Sequence, residues 1–284
     1  MNLADQVALS DHARRHDVVI SLVPQASGQV QLACARTGVP SVDASGGTSA
    51  DLLAHADAVA SERGSGHIVG VGLFPGLSGL MAHEVAAVVP GRRLAVTLVQ
   101  SSNARVGPAG VREMLGMVEP GPGVRRGADV LLRLEHPEAT ALAHSGIEAE
   151  YFTRWDSRSQ TRTIGVLAAL GLLPMLTRLP DRWLRRLAPH RPDACEEAVL
   201  TVRAAGAEFV ARAEVRSDYE ATAALLAATA IRAANFTPGV LPLWGAVELS
   251  TIAAEISDVV SLSGLAPVAP ATEDSPQHGH PGDA

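Results

Sequence analysis

Three short apolar runs near the N-terminus, each followed by a turn and a helical pattern, restrict what this chain can fold into. The first is Asp17-Val-Val-Ile-Ser-Leu-Val-Pro24, the second Val39-Pro-Ser-Val42 and the third His67-Ile-Val-Gly-Val71. An apolar run without polar alternation reads as a strand buried on both faces, which is the signature of a parallel sheet. Helical patterns follow over 25–37, stopped by Gly38, and from Ala50 to Ser61, with Ser49 or Thr48 as the cap. A third runs through Val89 after the turn Gly72-Leu-Phe-Pro-Gly-Leu-Ser-Gly79. Three βα units in succession predict a right-handed parallel α/β layer over residues 1–90.

After Pro90 the pattern changes. Residues 93–101, 130–134, 198–202 and 208–215 alternate like strands with one wet face. The glycine/proline loop Glu119-Pro-Gly-Pro-Gly123 and an arginine-rich helical stretch around Trp183 lie between them. This predicts a second, α+β domain with a mixed sheet over 91–216. Residues 218–234 read as a helix, Thr237-Pro-Gly239 breaks it, and 244–259 read as a last helix. The segment 217–262 is expected to return to the first domain. Residues 263–284 are expected to form a disordered tail, with prolines at 267, 270, 276 and 281. Deleting 266–284 should leave the thermal midpoint within about a degree.

Composition narrows the function. All 23 basic residues are arginine, so lysine chemistry (a Schiff base, a lysine base, a P-loop lysine) is excluded from these 284 residues. The formal charge of −7 argues against a nucleic-acid partner. Cys34 and Cys195 are too few for a disulfide framework or a multi-cysteine metal site, and they read as small buried hydrophobes. No metal site is expected. The first 17 residues lack an apolar signal core, and the longest apolar run, 164–176, is interrupted by Pro174. It is too short for a bilayer, which takes ~20 residues, and reads as a buried helix. A cytoplasmic protein without a membrane partner is the expectation. His83-Glu84 lacks the second histidine of a zincin motif, and Leu80 stands where a nucleophile elbow after Ser78 needs glycine. No catalytic residue stands out.

The loops after the first and third runs carry the functional signal, because doubly wound sheets bind ligands at the carboxyl ends of their strands. The segments His16–Pro24, Ala33-Cys34 with Gly38-Val39, Val42-Asp43 and Gly72-Leu-Phe-Pro-Gly-Leu77 together resemble the saccharopine dehydrogenase (saccharopine reductase-like) family. The resemblance extends more loosely to Ser217-Asp-Tyr-Glu-Ala-Thr222 and Pro238-Gly239-Val240. It implies a Rossmann domain coupled to an α+β domain for substrate binding and dimerisation. It also implies NAD or NADP as cofactor, a small-molecule substrate and a homodimer. The nicotinamide would lie near Ser21, Leu22, Val23, Pro24, Gly70, Gly72, Pro75 and Gly76. Asp43, Arg154 and Asp156, with Arg105, are candidate substrate groups, chosen for polarity and expected domain, and arginine suits carboxylate recognition.

Two departures from the family pattern matter. The family opens with a strand and a Gly-x-Gly-x-x-Gly turn, which sets the pyrophosphate on a helix N-terminus, and these residues contain no such turn. The sheet is therefore expected to be a partial Rossmann sheet with an open apolar edge at 18–23, covered by another chain, avoided by a rearranged sheet or completed by residues upstream of Met1. Phe74 stands where the family has an aspartate before the proline, and it cannot transfer a proton. Two main readings remain: an NAD(P)-dependent oxidoreductase, or a scaffold or regulatory subunit that has lost the cofactor. A cofactor-independent isomerase or lyase is a third, weaker one. The chain as given is expected to bind NAD(P) more weakly than ~1 mM.

Overall fold

The computed structural model describes residues 5–23, 28–45, 50–104, 106–127, 129–187, 196–206 and 210–264. Helix α1 (Gln6–Ala13) leads into β1 (Val19–Ser21), α2 (Gln29–Thr37), β2 (Ser41–Asp43), α3 (Ala50–Arg63), β3 (Gly66–Val69) and α4 (Ser78–Val88). Then follow β4 (Leu94–Gln100), α5 (Pro108–Met117), β5 (Val124–Arg126), β6 (Asp129–Leu134), α6 (Pro137–His144) and β7 (Ala149–Trp155). Helices α7 (Arg158–Ala169), α8 (Leu173–Thr177) and α9 (Asp181–Leu187) precede β8 (Ala198–Ala204) and β9 (Val210–Val215). The described residues end with α10 (Asp218–Ala230), β10 (Gly239–Pro242), α11 (Leu249–Ile256) and β11 (Val260–Ser263).

Local chemistry fixes many of these boundaries. The Asp5 carboxylate accepts from the Ala8 amide at 3.0 Å and opens α1. Gly38, at φ +72°, closes α2 and lets the Val39 amide donate back to the Cys34 carbonyl. Pro108 and Pro137 sit in the first turns of α5 and α6, where a missing N–H costs nothing.

Two sheets result. In the first, the order is β1-β2-β3-β10 and every pair is parallel, as the apolar runs predict. The second has the order β11-β9-β8-β4-β7-β6-β5, with β4 and β7 parallel and the other pairs antiparallel. Helix α4 packs against the first sheet's turn 73–77 on one side and β4 and β8 on the other. One apolar core therefore runs through both layers, from Val42 and Ile68 to Leu200 and Val202. A satellite of Ala13, Val30 and Cys34 seals α1 against α2.

The structure departs from the sequence reading in several places. Residues 217–262 carry strands as well as helices: β10 becomes the fourth parallel strand beside β3, and β11 crosses to the second sheet beside β9. The expected helix over 244–259 shrinks to α11, because 243–245 form a single 3-10 turn and 260–263 pair as strand. The apolar run 164–176 is no single buried helix. It breaks at Gly171 (φ +67°) between α7 and α8 and leaves Val166, Leu170 and Met175 exposed. Among the described residues no strand pairs with the outer side of β1, where Ile20 and Leu22 are exposed. No described helix is long and apolar enough to cross a membrane. Ser263, the expected first residue of the tail over 263–284, instead pairs in β11, while Cys195 and residues 265–284 lie outside the described residues.

Helix α5 offers a direct check on the fold. Gly116 is an exposed helical residue, and a methyl group there would meet nothing within 4 Å. Gly116→Ala should stabilise the protein by about 0.5–1 kcal/mol, since alanine loses less chain entropy in a helix. A thermal midpoint raised by about 2 °C is the expected reading. A lowered one would mean that this face of α5 is covered.

Candidate functional site

At the carboxyl ends of the parallel strands the ladder continues into the loops. The Ala44 amide donates to the Ser21 carbonyl at 3.0 Å, Val71 to Asp43 at 2.8 Å and Gly70 to Ser45 at 3.2 Å. These bonds hold the three strand-end loops side by side. The third is the turn Gly70–Gly76, with a cis Phe74–Pro75 bond and Gly76 at φ +123°. A side chain at Gly76 would sit 2.8 Å from the Gly70 carbonyl oxygen, so both the backbone angle and the packing require glycine. The Leu73 amide donates to Thr222 Oγ1 at 3.1 Å, which ties the turn to α10.

A cleft of about 580 Å³ opens between these loops and the second sheet. Its loop side is formed by Leu22, Ala44, Ser45, Phe74 and Pro75. Its far walls come from α5, through Val111, Met114 and Met117, and from α7, through Gln160, Ile164 and Leu167. Both sets recur at helical spacing, so each helix turns one stripe to the cavity. Trp155 and Gln100 enter from the ends of β7 and β4, and the first turn of α10 contributes Asp218, Tyr219 and Thr222. The Trp155 backbone is held by Thr161, whose Oγ1 accepts the Trp155 amide at 2.9 Å. Gln100 Nε2 donates to Thr153 Oγ1 at 2.6 Å.

Among the described residues that line this cleft, partly buried Asp218 and the more exposed Tyr219 and Glu113 have pKa values raised chiefly by desolvation. The charge of Glu196 adds to the shift of Asp218, and that of Asp218 to the shift of Tyr219. Among the described residues no group of three or more His, Cys, Asp or Glu side chains could hold a metal ion.

Behind the turn lies a buried cluster that sequence reasoning missed. Glu138, at the start of α6, accepts from the Gly76 amide at 2.7 Å, the Ser78 hydroxyl at 2.5 Å and the Gly79 amide at 3.2 Å. It thereby fills the N-terminus of α4. Burial pushes its pKa up to about 7, against the pull of those donors. His136 stacks on Tyr151 at 4.2 Å and meets Phe74 at 4.4 Å, and burial pushes its pKa down to about 3. Phe74 is thus one wall of this aromatic stack as well as of the cleft. The only available signal was a glutamate beside a proline at a helix start, which reads first as ordinary capping chemistry.

The sequence-derived site residues divide clearly. Leu22 and Pro75 line the cleft, Gly70, Gly72 and Gly76 shape the turn beside it, and Ser21 is buried at the end of β1. Val23 is exposed one residue beyond Leu22, and Pro24 and Arg105 fall outside the described residues. The three polar candidates do not line the cleft. Asp43 is fully buried, where it accepts from Gln31 Nε2 and from the amide and hydroxyl of Ser45. Arg154 reaches Asp129 at 3.7 Å on the opposite face of β7, because successive strand residues point to opposite sides and Trp155 takes the cleft side. Asp156 Oδ1 accepts from the Ser102 and Ser157 amides at 2.9 and 2.6 Å, which closes the turn before α7.

No family model matches the chain, and no curated protein does. Among solved structures it is similar to apo saccharopine dehydrogenase (L-Glu forming) from Saccharomyces cerevisiae. That match has a TM-score of 0.58 at 15% identity over 94% of this chain and 88% of that one. It is also similar to homospermidine synthase from Legionella pneumophila in complex with NAD. Here the TM-score is 0.60 at 11% identity over 100% of this chain and 84% of that one. The parallel sheet and the mixed sheet thus share the Rossmann-type fold of saccharopine dehydrogenase, and the cleft lies at their junction.

Proposed function

We propose that this protein is a cytoplasmic NAD(P)-dependent oxidoreductase of saccharopine dehydrogenase type, acting on a small metabolite held in the cleft. The observation that carries the reading is the position of that cleft. It lies at the carboxyl ends of three parallel strands, beside the turn that carries Phe74 and Pro75 into its wall. Leu22, Ala44, Ser45 and Pro75 on that wall would hold the nicotinamide end of the cofactor. When bound, that ring gives or takes the hydride. The protein's own groups orient it and keep water away through Phe74, Trp155 and the α5 and α7 stripes.

The phosphates are a different matter. The glycine-rich turn after β3 leads straight into a helix, yet the Glu138 carboxyl group already occupies that N-terminus. Those amides are therefore closed to an anion. The same observation favours a second reading, in which the chain is a scaffold or regulatory subunit that binds no cofactor. A homodimer is part of the proposal and can be checked by light scattering.

Titration with NADH, NADPH and reduced nicotinamide mononucleotide separates the readings, with Trp155 fluorescence and calorimetry as readouts. If the cleft grips only the ring end, all three bind with similar strength, more weakly than ~1 mM, which corresponds to no more than about 4 kcal/mol. Loss of the quench in Trp155→Phe would place the signal in the cleft. Saturation at micromolar NADH would refute ring-end binding. Absence of any response at millimolar concentration of all three would favour the scaffold.

A further inference from the structure

Among the described residues the charges that line the cleft are one-sided. The chain has 23 arginines and no lysine, yet among the described residues no arginine lines the cavity, and histidine does not line it either. The arginine in the wall helix α5 faces elsewhere. Arg112 donates to the carbonyls of Thr177 and Leu179, at 3.1 Å each, and to Asp181 at 2.5 Å. Arg154 lies on the far face of β7 with Asp129. The ionisable carboxyls that do line the cavity are Asp218 and Glu113. The rest of the wall is largely hydrocarbon: Val111, Met114, Ile164, Leu167 and Leu176 on the α5–α8 side.

A carboxylate or phosphate entering this space would lose its hydration, meet no countercharge from those walls and face two acids. A cation on a hydrocarbon body meets the opposite situation. We propose that the cleft selects an apolar primary amine that carries no carboxylate, with its ammonium group on Asp218 and its hydrocarbon body between α5 and α7. This rests on the reading of the cleft as the substrate site and names its substrate class. The electrostatics of Asp218 point the same way. Burial disfavours its charged form and Glu196 adds to that, against the Tyr219 amide, which donates to Oδ1 at 2.9 Å; an adjacent ammonium group would relieve the remaining penalty. Glu113 adds a second acid to the lining and reinforces the preference for a cation.

The test needs no cofactor. Hexylamine, hexanol and hexanoate are titrated into the wild-type chain near pH 7.5 by calorimetry and Trp155 fluorescence. Hexylamine should bind about tenfold more tightly than hexanol and at least about thirtyfold more tightly than hexanoate, as one charge-assisted hydrogen bond allows. In Asp218→Asn the advantage over hexanol should vanish while hexanol binding stays unchanged. Ile164→Trp, which fills the hydrocarbon end, should weaken all three probes. Equal or tighter binding of hexanoate would overturn the proposal, and so would a folded Asp218→Asn variant that keeps its preference for the amine. The wild-type ranking decides the matter even if that variant does not fold. Failure of NADH to bind while the amine ranking holds removes only the oxidoreductase reading. NADH binding without any amine preference removes only this proposal.

Discussion

Replacing Glu138 with alanine is expected to cost about 3 kcal/mol near pH 5, because three buried donors lose their acceptor at once. Glutamine should behave differently. Its carbonyl oxygen can keep the Gly76 and Gly79 amides, while its NH₂ group faces Ser78, so the fold survives and the titration disappears. The sign of the pH effect follows from the shifts. In the folded chain Glu138 holds its proton up to about pH 7, against an ordinary value of 4.5. Between those limits the folded state binds more protons than the unfolded one, so this group's contribution falls as pH rises. The difference amounts to about 3 kcal/mol across the window. His136 works the other way. Its folded pKa of about 3 lies below the ordinary 6.5, so stability is lost as pH falls through that range. From about pH 4.5 to 6.5 the two slopes oppose each other in the wild type, and Glu138→Gln exposes the histidine slope. Urea midpoints of wild type and Glu138→Gln, taken from pH 4.5 to 8, give the difference profile. The wild type should lose about 3 kcal/mol relative to the variant on going from the acid to the alkaline end. Parallel profiles would show that Glu138 does not titrate in the fold.

This cluster also marks the limit of what the sequence could reveal. The strands β1, β2 and β3 were legible because each lies in a short apolar run closed by a turn, even though β1 is an edge strand with Ile20 exposed. The glycine density of 70–76 was legible for a related reason: few other sequences tolerate so much backbone freedom. Strand β7 was not, because Ala149-Glu-Tyr-Phe-Thr-Arg-Trp155 mixes polar and aromatic residues on both faces. Its Phe152 side carries the guanidinium group of Arg126 at 4.6 Å from the ring centroid, and its Tyr151 side carries the His136 stack. Polarity therefore pointed to Arg154 and Asp156, whereas the pleat sends Trp155 to the cleft. Strands β10 and β11 were hidden for another reason. Each is only four residues long, and each gains its identity from a neighbour distant in sequence, β3 in one case and β9 in the other.

The junction between the two sheets is tightest at Gly79, and the second large effect is expected there. Gly→Ala inside a helix ordinarily stabilises by about 0.5–1 kcal/mol. At Gly79, the second residue of α4, an added methyl carbon would overlap the Trp244 ring and lie 2.6 Å from Glu138 Oε1. Neither neighbour yields easily. Trp244 is packed against the shared core in the turn after β10, and Glu138 is fixed by the donors it serves. Overpacking of this kind costs about 1–3 kcal/mol, and displacing a buried hydrogen-bonded carboxyl group adds to it. Steric cost therefore outweighs helix propensity, and Gly79→Ala should lose about 3 kcal/mol, or roughly 6 °C in thermal midpoint. A double-mutant cycle with Trp244→Leu isolates the cause. The leucine variant opens a void beside Gly79, so alanine should cost less than about 1 kcal/mol in that background. If alanine costs as much beside leucine as beside tryptophan, the indole is not what excludes a side chain from position 79. The junction would then be held by Glu138 alone.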